Sequence, residues 1–237
     1  LLKRNTNKPL NLVDQINKKT VLITGSGGSI GSELVKQSLI CGAKVIALDH
    51  SELALYNLEK DLDNQVSKKK IKTVLGSIND KRVLRKIKQS EKIDIVFHAA
   101  AYKHVNLLEN NITLAIENNI FGTKNILDIF NDKNIEIIII STDKAARPKS
   151  VLGATKRISE IICQDYRRSK ILKSKLKIVR FGNVFGSKGS AIELFIEQLN
   201  SGYPITITDF NAKRYFMSIQ EACNLVINVT RLKENEK

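Results

Sequence analysis

Val21-Leu-Ile-Thr-Gly25-Ser-Gly-Gly28-Ser-Ile-Gly31 passes from an apolar run through a glycine-rich turn into a stretch of helical periodicity. That order, strand then loop then helix, gives each glycine a task. Gly25 permits the tight turn and Gly28 lets backbone amides approach a pyrophosphate. Gly31 permits close packing of the following helix, whose N-terminus favours an anion, and Ser29 and Ile30 within this turn are expected beside the cofactor. Asp49 ends the next apolar run and is placed to accept hydrogen bonds from an adenosine ribose diol. Its carboxylate would repel a 2′-phosphate, so the expected cofactor is NAD rather than NADP.

Short Ile- and Val-rich runs at 20–23, 44–48, 71–75, 93–97, 136–140 and 177–181 alternate with helical patterns at 32–41, 53–62, 81–89, 113–130, 152–169 and 191–201. Such runs suit strands buried on both faces of a parallel sheet, and the intervals leave room for crossover helices. The expected fold is therefore α/β, a doubly wound parallel sheet of Rossmann type, with an incomplete C-terminal substrate lobe. Residues 1–18 read as a linker, 19–181 as the NAD-binding domain with its catalytic segment, and 182–237 as part of a substrate-binding region. Beyond 181 the pattern loosens into a strand-like 205–208. Ser218-Ile-Gln-Glu221 then has capping-box spacing, and opens a last helix to about 229.

The chain has 237 residues, 42% hydrophobic and 27% charged, with 3 Pro and 12 Gly, which excludes collagen-like, low-complexity and wholly disordered classes. Its longest apolar runs, such as 137–140, fall far short of the roughly 18 residues that span a bilayer. A soluble chain is expected. Cys41, Cys163 and Cys223 are isolated, which suits a reducing, cytoplasmic setting. His50, His98 and His104 supply no local ligand pair, so no metal is expected. The net charge is +15, but the lysines are dispersed and aromatics make up only 5%. No nucleic-acid partner is expected from this, whereas an anionic small substrate suits the charge. Leu rather than Met at position 1 suggests a piece of a longer protein.

The glycine spacing resembles that of the extended short-chain dehydrogenase/reductases. More specific are Ser141-Thr142-Asp143-Lys144, Leu152-Gly-Ala-Thr-Lys156, His98-Ala99-Ala100-Ala-Tyr-Lys103 and Arg180-Phe-Gly-Asn183-Val. With Gly186-Ser-Lys188-Gly-Ser and Tyr215-Phe-Met-Ser-Ile-Gln-Glu-Ala222, they resemble the nucleotide-sugar 4,6-dehydratases of polysaccharide biosynthesis, nearest the type acting on UDP-N-acetylglucosamine. The resemblance implies oxidation at C4 of a UDP-sugar, which acidifies the C5 proton; water then leaves from C5 and C6, and hydride returns to C6. It implies Asp143 as general acid, Lys144 as the C5 base, Thr142 on the C4 oxygen and Lys156 on the nicotinamide ribose. Asp143 then needs a raised pKa and Lys144 a lowered one. Further implied cofactor contacts are Ser77, Ile78, Ala99, Ala100 and Asn119, although Asn119 could equally satisfy a buried backbone group. Implied substrate contacts are Lys103, Asn183, Lys188 and Arg214. Larger members carry a membrane domain whose junction Leu1-Leu-Lys-Arg4 resembles, and the family implies a homo-oligomer at the cytoplasmic face of a membrane.

Two residues depart from the pattern. Leu152 stands one helical turn before Lys156, where the superfamily places a tyrosine base, which leaves Lys156 or a water held by Thr142 as candidates for the C4 proton. Ser77 stands where an aspartate usually meets the adenine amino group.

Overall fold

The computed structural model describes residues 13–62, 70–187, 191–207, 209, 211 and 213–232. Among them, Lys188 and the Leu1–Arg4 stretch are not included, so those two expectations lie outside the described residues. After a short α1 (Val13–Ile16), the chain runs β1 (Thr20–Thr24), α2 (Ser29–Ile40), β2 (Lys44–Asp49), α3 (Glu52–Leu62), β3 (Ile71–Leu75), α4 (Lys81–Ser90) and β4 (Ile95–His98). It continues through α5 (Val105–Glu109), α6 (Ile112–Ala115), α7 (Gly122–Ile129), β5 (Glu136–Thr142), α8 (Val151–Arg168) and β6 (Lys175–Phe181). β7 (Asn183–Phe185), α9 (Ala191–Asn200), β8 (Phe216–Ser218) and α10 (Ile219–Asn228) follow.

Strands β1 to β6 form one parallel sheet in the order β3-β2-β1-β4-β5-β6, the doubly wound Rossmann-type arrangement expected from the sequence. The order reverses between β1 and β4, and the ligand crevice of such a sheet lies at the carboxyl ends of those strands. Because side chains alternate along a strand, the apolar runs feed two cores. Val21, Ile23, Ile138 and Ile140 face α2, α3 and α10; Leu22, Ile137 and Ile139 face α4, α7 and α8. Each such side chain, fully withdrawn from water, contributes about 1.5–3 kcal/mol.

Three departures have local causes. The helix expected at 113–130 is interrupted by a π-helical stretch, Ile116–Phe121. Gly122 follows it, and a side chain there would meet Ile78 at 2.4 Å. The strand-like 205–207 forms no ladder; instead the side chain of Gln198 on α9 accepts from the Thr206 N–H at 3.2 Å. Finally, α10 does not belong with an outlying lobe: Cys223, Val226 and Ile227 are buried in the core beside α2, so part of the 182–237 region completes the sheet's own cover. β7 pairs in parallel with β8 in a separate small sheet.

The expected capping box is present. Ser218 Oγ accepts from Glu221 N–H at 3.1 Å, and Glu221 accepts from Ser218 N–H at 2.7 Å. Since α10 seals the first core, Ser218→Ala is expected to cost about 1 kcal/mol and lower Tm by about 2–4 °C in a thermal unfolding experiment.

Candidate active site

The glycine turn is shaped by close approach. Gly25 has φ +68°, and a Cβ there would sit 2.7 Å from the Ala100 backbone. A Cβ on Gly31 would lie 2.0 Å from the Gly25 carbonyl, so α2 starts pressed against the turn. Gly28 is the N-cap of α2 and makes no side-chain cap bond, leaving the helix start to face the crevice without a capping side chain. Asp49 is buried, with Oδ2 accepting from Gly27 N–H at 2.9 Å and Oδ1 from Ser51 N–H at 3.0 Å. It therefore ties the turn to the end of β2. Capping of α3 falls to Ser51, whose hydroxyl accepts from Ala54 N–H. A carboxylate has about four lone-pair sites; two are taken by these amides, and His50 Nδ1 lies 3.4 Å from Oδ1.

The other expected cofactor residues line the same end of the sheet. Ala99 N–H donates to the Thr24 carbonyl and Ala100 N–H to the Thr24 hydroxyl. Gly76 N–H, just before Ser77, donates to the Asp49 carbonyl, and Ile78 is buried with its carbonyl held by Asn125. Ser77 Oγ accepts from Asn79 N–H at 3.1 Å. Asn119 is fully buried, and its amide is spent on protein groups. Oδ1 accepts from Tyr102 N–H, and Nδ2 donates to the Tyr102 carbonyl and the Thr155 hydroxyl. Asn119 thus holds the loop after β4 against α8, which is the backbone-satisfying alternative read from the sequence.

At the end of β5, Thr142 opens a 3₁₀ turn of Asp143–Ala145. Lys144 Nζ donates to Asp143 Oδ1 at 3.2 Å and to Asn183 Oδ1 at 3.0 Å, so three of the expected residues meet. Thr142 Oγ1 donates to the same Asp143 oxygen at 3.0 Å. One expectation is corrected. Burial pulls the Asp143 pKa upward, but bonds from Thr142 and Lys144 outweigh it and hold the carboxyl below its ordinary value rather than raised.

Lys156 is buried on α8 and donates to the Ile140 carbonyl at 2.8 Å. Burial lowers its pKa to about 8, against opposing pulls from Cys163 and Glu160. Leu152 lies in a small apolar cluster with Leu108 and Ala115, so α8 presents no hydroxyl one turn before Lys156. Lys103 is exposed by area, yet the protein around its ammonium lowers its pKa, with Glu193 opposing. Arg214 is exposed and donates to the Lys213 carbonyl; the carbonyl of its neighbour Tyr215 accepts from Asn183 N–H at the start of β7.

Sequence reading missed Glu160. One turn beyond Lys156 and almost fully buried, it accepts from Ser141 Oγ at 2.6 Å, and Arg180 donates to both its oxygens, at 2.7 Å from Nε and more closely from Nη2. Burial raises its pKa, but Arg180 and Ser141 more than offset that and keep it ionised. Its i, i+4 spacing from Lys156 was the available signal. Among the described residues no group of three His, Cys, Asp or Glu side chains comes together as a metal site, and no helix is long and apolar enough to cross a membrane.

A parallel sheet with a glycine cradle at the end of β1, an Asp-Lys pair at the end of β5 and a buried lysine on α8 defines a doubly wound α/β protein of the Rossmann, dinucleotide-binding class. The family model described as "Polysaccharide biosynthesis protein" matches residues 21–237, and the chain belongs to that family. It is 41% identical over 221 residues to the capsular polysaccharide biosynthesis protein CapD of Staphylococcus aureus, covering 92% of this chain and 37% of CapD. It is 31% identical over 215 residues to a UDP-glucose 4-epimerase of Rickettsia canadensis, covering 88% of this chain and 62% of that protein. Among solved structures, Pen from Bacillus thuringiensis matches with TM-score 0.85 at 32% identity, over 92% of this chain and 67% of that one. WbmF of Bordetella bronchiseptica in complex with NAD+ shares the fold, with TM-score 0.75 at 19% identity over 92% of this chain and 71% of that one. The chain thus spans 37% of the length of CapD and 62% of that of the epimerase.

Proposed function

We propose that the chain carries the NAD site and catalytic segment of an enzyme that performs 4,6-dehydration of a UDP-linked amino sugar of the UDP-N-acetylglucosamine type. Lys144, poised between Asp143 and Asn183 at the carboxyl end of β5, is the observation that carries this reading. The cofactor half rests on the Gly25–Gly31 cradle and the Asp49 acceptor. When bound, NAD supplies the reversible two-electron oxidation at C4.

The chain's own groups handle the protons. Lys156, with a pKa near 8, accepts the C4 hydroxyl proton without needing the missing tyrosine. Asp143 and Lys144 form an ion pair, the opposite of the acid and base that dehydration requires. A sugar nucleotide seated over the pair excludes water, and loss of water disfavours two charges in favour of two neutral groups. One proton moving along the 3.2 Å Lys144–Asp143 hydrogen bond then leaves a carboxylic acid to protonate the departing C6 hydroxyl and an amine to take the C5 proton. Lys103 and Arg214 offer cations to the diphosphate.

The test is incubation with NAD and UDP-N-acetylglucosamine, reading the product by mass spectrometry for loss of one water. A dehydrated product supports the reading. An unchanged mass with inverted C4 supports a 4-epimerase instead, the reading favoured by the Rickettsia relative, since epimerisation needs no acid and base at C5 and C6.

A further inference from the structure

His98 ends β4, is fully buried, and has no part in the proton transfers above. Strand register places it directly beside Thr24 of β1. Two hydroxyls bracket its ring: Thr24 Oγ1 lies 2.8 Å from Nδ1, and Thr123 Oγ1 lies 3.0 Å from Nε2. In a neutral imidazole one nitrogen donates and the other accepts, so the hydroxyl hydrogens decide which is which. Thr123 directs its hydrogen to the Asn119 carbonyl at 2.7 Å and keeps its lone pairs for an Nε2–H. Thr24 Oγ1 already accepts the Ala100 N–H at 3.3 Å, and its own hydrogen finds its acceptor in Nδ1. The opposite tautomer would aim Nδ1–H at Thr24 and strand the Thr24 hydroxyl hydrogen, a buried donor without an acceptor among the described contacts. A second proton on the ring would do the same, and burial together with the Lys156 charge holds the His98 pKa down to about 3.

Donors therefore run in one direction, from Ala100 N–H through Thr24, His98 and Thr123 to the Asn119 carbonyl. Both ends of this string belong to walls of the crevice. Ala100 is the backbone that Gly25 must clear, and Asn119 holds the Tyr102 loop and Thr155, the residue before Lys156. We propose that His98 is a positioning residue for the dinucleotide cofactor: locked as the neutral Nε2–H tautomer, it seats the Ala100 backbone against the glycine turn and ties that seat to Asn119. The seating role rests on the NAD reading above, whereas the tautomer does not.

Nitrogen-15 NMR of the imidazoles tests the tautomer without cofactor. His98 is expected to show a protonated Nε2 and a bare Nδ1, unchanged from pH 5 to pH 9, while exposed His50 and His104 serve as internal comparisons. A protonated Nδ1, or titration of His98 within that range, overturns the proposal. NAD affinity measured by calorimetry tests the seating. Thr24→Val, which removes both the donor to Nδ1 and the acceptor for Ala100, is expected to weaken NAD binding about tenfold, and Thr24→Ser to restore it. Equal affinity of the Val and Ser variants overturns the seating role. Should Thr24→Val not fold, Thr123→Val takes its place: it keeps the Thr24 donor, so the tautomer is expected to persist while the Nε2 proton exchanges faster, and unchanged exchange overturns the string. Absence of NAD binding by the wild-type chain overturns the cofactor reading and with it the seating role, but not the tautomer, which is read without NAD.

Discussion

Replacing Lys144 by Ala is expected to slow water loss by about 10²–10⁴-fold, the usual contribution of a positioned acid or base, while leaving Tm within about 2 °C of the parent. The stability half follows from exposure. The Lys144 and Asp143 side chains are 38% and 48% exposed, and a solvent-facing ion pair contributes about 0–1 kcal/mol. The kinetic half follows from the shared proton. If Lys144 must give its proton to Asp143 before either can act, then removing one leaves the other in the wrong protonation state. Asp143→Asn should therefore be as damaging as Lys144→Ala, and the double variant no worse than either, the non-additivity of groups that act as a unit. Single-turnover assays at saturating substrate measure all three. Additive losses would sink the proton-shift account. C4 inversion that survives Lys144→Ala would replace dehydration with epimerisation.

What the sequence disclosed was local. Ile137–Ile140 could be read as a strand buried on both faces because burial there depends only on an unbroken apolar run between turns, and the glycine turn could be read because close approach and positive φ restrict the residue type at each position. The hidden features needed partners distant in sequence. No periodicity marks the π-helical stretch at 116–121, where Gly122 meets Ile78 from another element. The His98 string depends on register between β1 and β4. The ionisation of Asp143 went the other way from expectation because its neighbours Thr142 and Lys144 both turn toward one oxygen, and adjacency in sequence does not say which way side chains turn. β7 and β8 are three residues each, too short for a pattern to emerge.

Lys156→Met is expected to abolish turnover and yet make the fold more stable at pH 7. An unfolded lysine titrates near 10.5, whereas burial brings Lys156 to about 8. At pH 7 both forms are protonated, so the folded state carries the whole penalty of a buried ammonium, about 3 kcal/mol for a difference of that size. Methionine removes that penalty at similar volume, and gives up one hydrogen bond to the Ile140 carbonyl, about 1 kcal/mol. The net gain of about 2 kcal/mol corresponds to a Tm higher by about 4–8 °C. Between pH 8 and 10.5 the unfolded wild-type chain binds more protons than the folded one, so wild-type stability climbs with pH and the advantage of the variant fades. Activity in the wild type should rise through pH 8 for the same reason, because only the neutral amine can accept the C4 hydroxyl proton. Thermal unfolding of both chains at pH 7 and above pH 10 is the measurement. A variant less stable at pH 7, or an advantage that does not change with pH, would show that Lys156 is buried as something other than a strained ammonium, and its assignment as the C4 base would fall with it.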